Sequence, residues 1–357
     1  MDRVIVKKCD NYDACQDIIF DILDSYHLKI EKGTKVLIKP NLVMPKKPET
    51  AVVTHYKIVK AVVLYVENLG GIATIADSPG GPYQKKYLDI LYKETKMTDA
   101  CSDKTILNYD NSSRIVENKK GIVLKKLDII EPYFTNDIII NIAKLKTHCF
   151  AYYTGATKNL FGFIPGLIKA EYHYRFKDDN NFSKALIDIC EFIKPTLSII
   201  DGIDCMEGEG PTSGKKKFAG IILAGENPYT LDSVAIDKVG LKKENCPIYN
   251  ELAEKGMLNE IEVLGDNINL IQLKEAPTKD LSFLKFLPKP ILRFFSNIKN
   301  PIPKFDGKKC VLCGNCVISC PAKTLKIEQK KIQFIDKDKC IKCYCCHELC
   351  PHKAVII

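Results

Sequence analysis

The sequence predicts an α/β protein: a large domain with a mainly parallel sheet flanked by helices, then a small α+β domain at the C-terminus. Three observations predict it. Through the first 240 residues, short apolar runs ending in Pro, Asp or Gly alternate with segments of helical period, the pattern of βαβ units. Five prolines (Pro277, Pro288, Pro290, Pro301, Pro303) mark residues 275–303 as a linker between residues 1–274 and 304–357. Nine of the sixteen cysteines fall in the last 48 residues, in two copies of one spacing.

Taken in order, residues 2–7 (DRVIVK) read as a first strand. Residues 12–27 read as an amphipathic helix with Cys15, Ile18, Ile19, Ile22 and Leu23 inward. The run KVLIK at 35–39 ends in Pro40-Asn41, a buried strand and a loop. Residues 55–69 are helical in period and are stopped by Gly70-Gly71. A strand at 72–76 ends in Asp77-Ser78-Pro79-Gly80-Gly81, and a β-rich patch at 104–126 precedes a strong strand at 137–142. Residues 143–175 are dense in Gly, Lys, Thr and His and lack a clean period. A helix at 182–193 is closed by Pro195, and a strand at 197–200 ends at Asp201-Gly202. A further strand is expected at 218–224 and a helix at 230–239, with Asp232 in the first turn where a carboxylate suits the dipole. Residues 283–295 are basic and apolar; packing against the large domain is the expectation, a membrane-surface segment the alternative.

The cysteines carry the clearest chemistry. Cys310-x-x-Cys313-x-x-Cys316-x-x-x-Cys320-Pro321 is repeated as Cys340-x-x-Cys343-x-x-Cys346-x-x-x-Cys350-Pro351. This is the C-x₂-C-x₂-C-x₃-C-P run of bacterial iron–sulfur proteins, in which the fourth cysteine ligates the other cluster. Cys310, Cys313, Cys316 and Cys350 are therefore assigned to one [4Fe–4S] cluster, and Cys340, Cys343, Cys346 and Cys320 to a second. A zinc ribbon would stop at four ligands, and a disulfide framework would want an oxidising compartment. Residues 304–357 resemble the bacterial dicluster ferredoxin family, with one departure: Cys345 is an extra thiol inside the second run. Register favours Cys346 as the ligand and leaves Cys345 spare.

The formal charge of +9 is not a nucleic-acid signal. Residues 304–357 hold eleven lysines against five acids, and each oxidised cluster with its thiolates brings about −2. A basic stripe with interleaved aromatics is also missing. Neither a signal peptide nor an apolar run of about 18 residues is present, so the sequence predicts a cytoplasmic protein without a transmembrane segment. The seven remaining cysteines are scattered without ligand spacing and read as core fillers.

Polar residues cluster after the strands, where open α/β sheets collect ligands. Lys39, Asn41, Asp77, Ser78, Lys144, Lys146, Thr147, Lys158, Asn159 and Asp201 are the candidate binding residues. Lysines and backbone amides near glycines make a pocket for a small anion, and His148 and His173 are the candidate proton-transfer groups. Asp201, Asp204, Glu207 and Glu209 read as an acidic loop, with a divalent cation site as the alternative. Two tempting motifs fail. Residues 208–216 resemble a phosphate-binding loop but have one residue too many and Lys in place of Ser or Thr. No G-x-G-x-x-G follows the first strand.

Lys39-Pro40-Asn41, Asp77-Ser78-Pro79-Gly80, Lys144-Leu-Lys-Thr147-His148, Thr154-Gly155-x-x-Lys158-Asn159-x-Phe161-Gly162, Asp201-Gly202 and Glu207-Gly208-x-Gly210-Pro211 resemble the domain-of-unknown-function 362 family. The resemblance covers roughly residues 1–240, and the family is often fused to a ferredoxin module, as here. It implies the α/β fold and a shared cleft lined by the matched positions, and names no reaction. Two functions then compete. In the first, a ferredoxin-dependent oxidoreductase, a cytoplasmic one-electron redox partner exchanges electrons through the clusters with a small anionic substrate or bound cofactor. In the second, an electron-transfer or scaffold protein, the large domain docks a redox partner without catalysis. A structural or oxygen-sensing role for the clusters is a third, minor reading.

Overall fold

The computed structural model describes residues 1–176, 178–276 and 301–357. In chain order the large domain runs β1 (Asp2–Lys8), α1 (Cys15–Ser25), β2 (Lys35–Lys39), α2 (Tyr56–Asn68), β3 (Ile72–Ile75), α3 (Lys85–Glu94), β4 (Ile106–Leu107), β5 (Ser113–Glu117) and β6 (Lys126–Ile130). It continues with β7 (Ile138–His148), β8 (Tyr152–Thr154), α4 (Ala156–Asn159), α5 (Ile168–Arg175), α6 (Asp179–Ile193), β9 (Leu197–Glu207), β10 (Lys215–Gly225), α7 (Pro228–Lys238), α8 (Pro247–Glu254) and β11 (Ile261–Gly265). The small domain holds β12 (Lys304–Phe305), α9 (Asn315–Ile318), β13 (Leu325–Glu328), β14 (Lys331–Phe334), α10 (Cys345–Glu348) and β15 (Val355–Ile356).

A nine-stranded sheet in the order β11-β1-β10-β9-β7-β2-β3-β4, with β8 paired to β7, forms the large domain. The pairings from β9 through β7, β2 and β3 to β4 are parallel, whereas β10 pairs antiparallel with both β1 and β9. The sheet is thus mixed and mostly parallel. From β2 the chain steps outward to β3 and β4, then returns to place β7 on the other side of β2. That reversal lies between β2 and β7, and ligands of open α/β sheets collect at the carboxyl ends of strands at such a point.

Buried aliphatic residues build the core from both faces of the sheet, including Val4 and Val6 of β1, Leu37 of β2 and Ile140 and Ile142 of β7. In α1 the inward residues are Cys15, Ile19, Ile22 and Leu23, while Ile18 is half-buried at the edge of that stripe. Three sequence expectations need correcting. First, β7 does not stop at residue 142: Lys144, Lys146, Thr147 and His148 are its last, buried turns of pleat. Second, β9 carries Asp201, Asp204 and Glu207 on a strand rather than on a loop. Third, α7 begins at Pro228 behind an Asn227 cap, so Asp232 lies beyond its first turn and its carboxylate serves another helix. The basic, apolar run at 283–295 lies outside the described residues.

The small domain packs against the carboxyl edge of the sheet. Lys46 Nζ donates to the Pro351 carbonyl at 2.8 Å, and Thr212 Oγ1 to the Glu348 carbonyl at 2.8 Å. Tyr344 packs with Cys149 of the large domain. Gly80 lets Leu349 approach: a Cβ there would lie 2.6 Å from Leu349 Cδ2.

Candidate functional site

A cavity of about 70 Å³ opens where the two domains meet. Lys39, Asn41, Asp77, Ser78, Lys158, Asn159 and His173 line it from the large domain, and Cys345, Glu348 and Leu349 from α10 and the residue after it. Lys169 of α5 lines it too. Lys169 sits in the stretch without a period, and Cys345, a spare thiol by register, and Glu348 reach this wall only through tertiary docking, so no local pattern marks the three as cavity residues.

Each wall has a local cause. Lys39 ends β2 and Asp77 follows β3, so parallel neighbours bring the two side chains together; Lys39 Nζ is 2.7 Å from Asp77 Oδ1. Asp77 Oδ2 also accepts from the Leu42 amide at 2.7 Å, which holds the loop after β2. Gly162 runs directly over this pair, where any Cβ would collide with both charged groups. A relay of amides lies behind: Asn41 Nδ2 donates to Asn159 Oδ1 at 2.9 Å, and Asn159 Nδ2 donates to Asn141 Oδ1 at 2.8 Å. Asp232 positions Lys158 and Asn159 by accepting from the Ala156 and Thr157 amides, at 2.6 and 2.8 Å, at the start of α4. Burial pushes the Asp232 carboxyl up to about 6 despite those amides.

The cations here are incompletely neutralised. Lys169 Nζ donates to Ser78 O, Ser78 Oγ and Pro79 O at 2.9 to 3.0 Å. Among the described residues no carboxylate lies within ion-pair distance of Lys158 or Lys169. Burial pushes Lys169 down to about 7, with Asp77 opposing, and also lowers Lys158, with Glu348 and Cys345 opposing. Lys146 does not line the cavity but stands behind Asn41, donating to its Oδ1 at 2.7 Å; burial pushes it down to about 7. An anion entering the cavity would stabilise the charged forms of these lysines.

Other candidate residues go elsewhere. Lys144 Nζ lies 2.8 Å from Asp201 Oδ2 and donates to Tyr12 OH at 2.8 Å, and both members of the ion pair are fully buried. Asp201 also accepts from the His55 amide at 2.9 Å. Thr147 Oγ1 donates to the Gly208 carbonyl at 2.8 Å. Lys144, Thr147, His148 and Asp201 are therefore outside the cavity wall. The expected acidic loop is dispersed in the same way: Asp204 pairs with Lys216 and Glu207 with Lys217.

The two histidines differ in placement. His148 Nδ1 accepts from the Phe150 and Ala151 amides at 3.0 and 3.1 Å, so its proton sits on Nε2, 3.8 Å from Glu348 Oε2. His173 stacks on Phe182 with 4.3 Å between ring centroids, and its buried Nδ1 has no hydrogen-bond partner. Burial drives His148 well below its usual range and His173 down to about 3. Both are neutral at pH 7, and the same burial weakens them as proton acceptors.

The small domain groups its cysteines across the two runs. Cys310, Cys313, Cys316 and Cys350 line one cavity, and Cys320, Cys340, Cys343 and Cys346 line another. Four thiols on one cavity fit a thiolate-bound cluster. Among the described residues no three His, Cys, Asp or Glu side chains converge on a single-ion site. No helix among them is long and apolar enough to cross a membrane.

Two family descriptions match the chain. Residues 36–237 match a domain of unknown function (DUF362), and residues 302–351 match a 4Fe-4S dicluster domain. A thylakoid-associated protein of Synechocystis sp. is 31% identical over 225 residues, which are 61% of this chain and 67% of that protein. Among solved structures, the lactate racemase apoprotein of Thermoanaerobacterium thermosaccharolyticum superposes with a TM-score of 0.39 at 11% identity, over 66% of this chain and 57% of that one. A likeness of that degree carries no argument about activity. The dicluster match supports iron–sulfur binding and electron transfer. With more than half of its residues matched, the chain belongs to the DUF362 family and carries a 4Fe-4S dicluster domain at its C-terminal side.

Proposed function

We propose that this protein is an oxidoreductase whose dicluster domain exchanges single electrons with a small anionic substrate, or bound cofactor, held in the cavity between the domains. One observation carries the reading. Lys158 and Lys169, without carboxylate partners among the described residues, share a cavity with the helix that lies between Cys343 and Cys350. A domain that only docked a partner would have no need of a cavity that turns half-buried cations towards its own redox module.

The two sets of four cysteines, Cys310, Cys313, Cys316 with Cys350 and Cys340, Cys343, Cys346 with Cys320, each hold one [4Fe–4S] cluster in this reading. Bound there, the clusters would supply one-electron transfer. The chain's own residues do the rest. Lys158 and Lys169 bind the anion, and the Lys39–Asp77 pair and Asn159 orient it. Leu349 and Phe161 exclude water from that end of the cavity. His173, on the cavity wall and neutral, is a hydrogen-bonding group for the substrate, and its buried Nδ1 has no partner. His148 acts from behind, through Glu348. A one-electron donor reaches the clusters from the cytoplasm or a comparable reducing compartment.

Anaerobically reduced protein mixed with fractions of a metabolite extract tests the reading. Reoxidation in selected fractions is expected, and it should be lost in Lys169→Ala. Identical reoxidation in every fraction and in buffer would leave the docking reading standing. The crossed ligation has its own test. Cys320→Ser should damage the cluster held by Cys340, Cys343 and Cys346; loss of the other cluster's spectroscopic signal instead would refute the grouping.

A further inference from the structure

The two cysteine runs lie thirty residues apart, so each position of the first has a counterpart in the second. In the second run one face is turned to the large domain. Tyr344 packs with Cys149, Cys345 lines the cavity between the domains, and Glu348 Oε2 stands 3.8 Å from His148 Nε2. Their counterparts in the first run are Gly314, Asn315 and Ile318. That face is turned to solvent. Asn315 is exposed, Ile318 is 65% exposed, and Val311, next to Cys310, is 59% exposed. Of the eight cysteines assigned to the clusters, Cys313 is the exposed one.

The rim of this face is basic. Lys308 and Lys309 precede Cys310. The β13–β14 hairpin stands against the run: Ile327 Cδ1 lies 3.9 Å from where a Cβ on Gly314 would be, and Ile332 lines the same cavity as Cys310, Cys313 and Cys316. The hairpin turn therefore brings the exposed Lys330 and Lys331 to the rim. The acids nearby are already engaged, Asp306 at 3.8 Å from Lys309 and Glu328 at 2.9 Å from Lys326. Among the described residues no carboxylate pairs with Lys308, Lys330 or Lys331. Exposed aliphatic side chains inside a rim of like charges suit a transient protein contact: the apolar centre supplies contact area, and the charges steer and orient a partner of opposite sign.

We infer that the face around Cys313, with Val311 and Ile318 at its centre and Lys308, Lys330 and Lys331 at its rim, docks an acidic one-electron carrier protein. The carrier's reduced centre is oxidised by one electron, and the cluster held by Cys310, Cys313, Cys316 and Cys350 is reduced by one; no bond forms or breaks. The inference rests on the cluster assignment proposed above and not on the cavity, so it holds whether or not a substrate binds between the domains.

The test uses full-length protein reconstituted anaerobically, with an acidic flavodoxin as the probe. A zero-length carbodiimide joins lysine amines to carboxylates, and the cross-linked peptides should carry Lys308, Lys309, Lys330 or Lys331. Cross-links confined to lysines of the large domain would overturn the inference. Stopped-flow mixing with flavodoxin hydroquinone reads the rate of cluster reduction, which should fall as salt rises. At low salt the rate should drop by about tenfold or more in Lys308→Glu/Lys331→Glu, with iron content unchanged. Lys29→Glu/Lys32→Glu makes the same change of charge on exposed residues before β2 and should stay within about twofold of wild type. Equal rates in the two variants, equal rates with flavodoxin whose carboxylates are amidated, or no reduction by either flavodoxin would each overturn the inference. Wild-type protein that sediments with phosphatidylserine vesicles and gives no flavodoxin cross-link would make the face a membrane site and overturn it too. Wild-type protein holding iron for a single cluster would instead overturn the underlying cluster assignment, and the inference with it.

Discussion

Two groups of lysines in the large domain look alike in sequence and differ in burial and in their partners. Lys144 is closed off, fully buried with Asp201 at 2.8 Å and held by Tyr12. Lys158 and Lys169 face a cavity with carbonyls, a hydroxyl or an aromatic ring beside them and no paired carboxylate among the described residues. Removing a charge from water costs several kcal/mol unless something compensates it. In the first group the compensation is built in. In the second it is left for whatever enters the cavity. A lysine at a strand end is therefore not in itself a binding residue; what decides is whether the fold already supplies its counter-ion.

The largest effect should come from breaking the closed pair. Asp201→Ala strands the Lys144 ammonium and removes the acceptor for Tyr12 and the His55 amide. A loss of about 3–5 kcal/mol is expected, read from chemical denaturation. Replacing Lys144 and Asp201 together by apolar residues of similar volume should recover most of it. A loss below about 1 kcal/mol for Asp201→Ala would mean that the pair behaves like a surface ion pair, and the comparison would collapse.

The open group should respond the opposite way. Lys158→Ala and Lys169→Ala are expected to change stability by no more than about 1 kcal/mol, since neither breaks a buried ion pair. Each should weaken binding of sulfate, a simple anion probe, by roughly 10- to 100-fold, the worth of a charge-assisted hydrogen bond. Calorimetric titration measures it. Unchanged sulfate affinity in both variants would remove the anion site.

How much of this is legible in the sequence depends on whether a signal is local. The cysteine spacing is local, and the structure gathers the same two sets of four that the spacing predicts. The strands and helices around Val4, Ile22, Leu37 and Val62 follow from apolar period, and the parallel order follows from their alternation. The end of β7 does not, because Lys144, Lys146 and His148 read as loop residues until Asp201, Asn41 and backbone amides are seen to satisfy them. Asp201 misleads in the mirror sense. Of the candidate site, Lys39, Asn41, Asp77, Ser78, Lys158, Asn159 and His173 do share the cavity. Lys169 lies in a stretch without period, and Cys345 and Glu348 reach the site only when the small domain docks. No local pattern encodes that docking.

The smallest effect is the sharpest discriminator, because pH near 7 titrates Lys169, with Lys146 behind it. Burial holds Lys169 near 7, with Asp77 raising it and Lys39 lowering it, and Glu348 and Lys158 acting in the same opposed senses. Below pH 7 the ammonium is charged before any ligand arrives. Above pH 7 it is largely neutral, so an anion must bring a proton with it and the apparent affinity falls. Sulfate stays a dianion across this range, which makes the protein the source of any dependence. Affinity should be flat below pH 6 and decline above 7 by up to tenfold per unit for one proton taken up. A steeper decline would add Lys146, which is pushed down to about 7 and donates to Asn41 on the cavity wall. In Lys169→Ala the decline should shrink or vanish. If the wild-type profile is flat from pH 6 to 9, Lys169 is no more open to solvent anions than Lys144, and the distinction between the two groups fails.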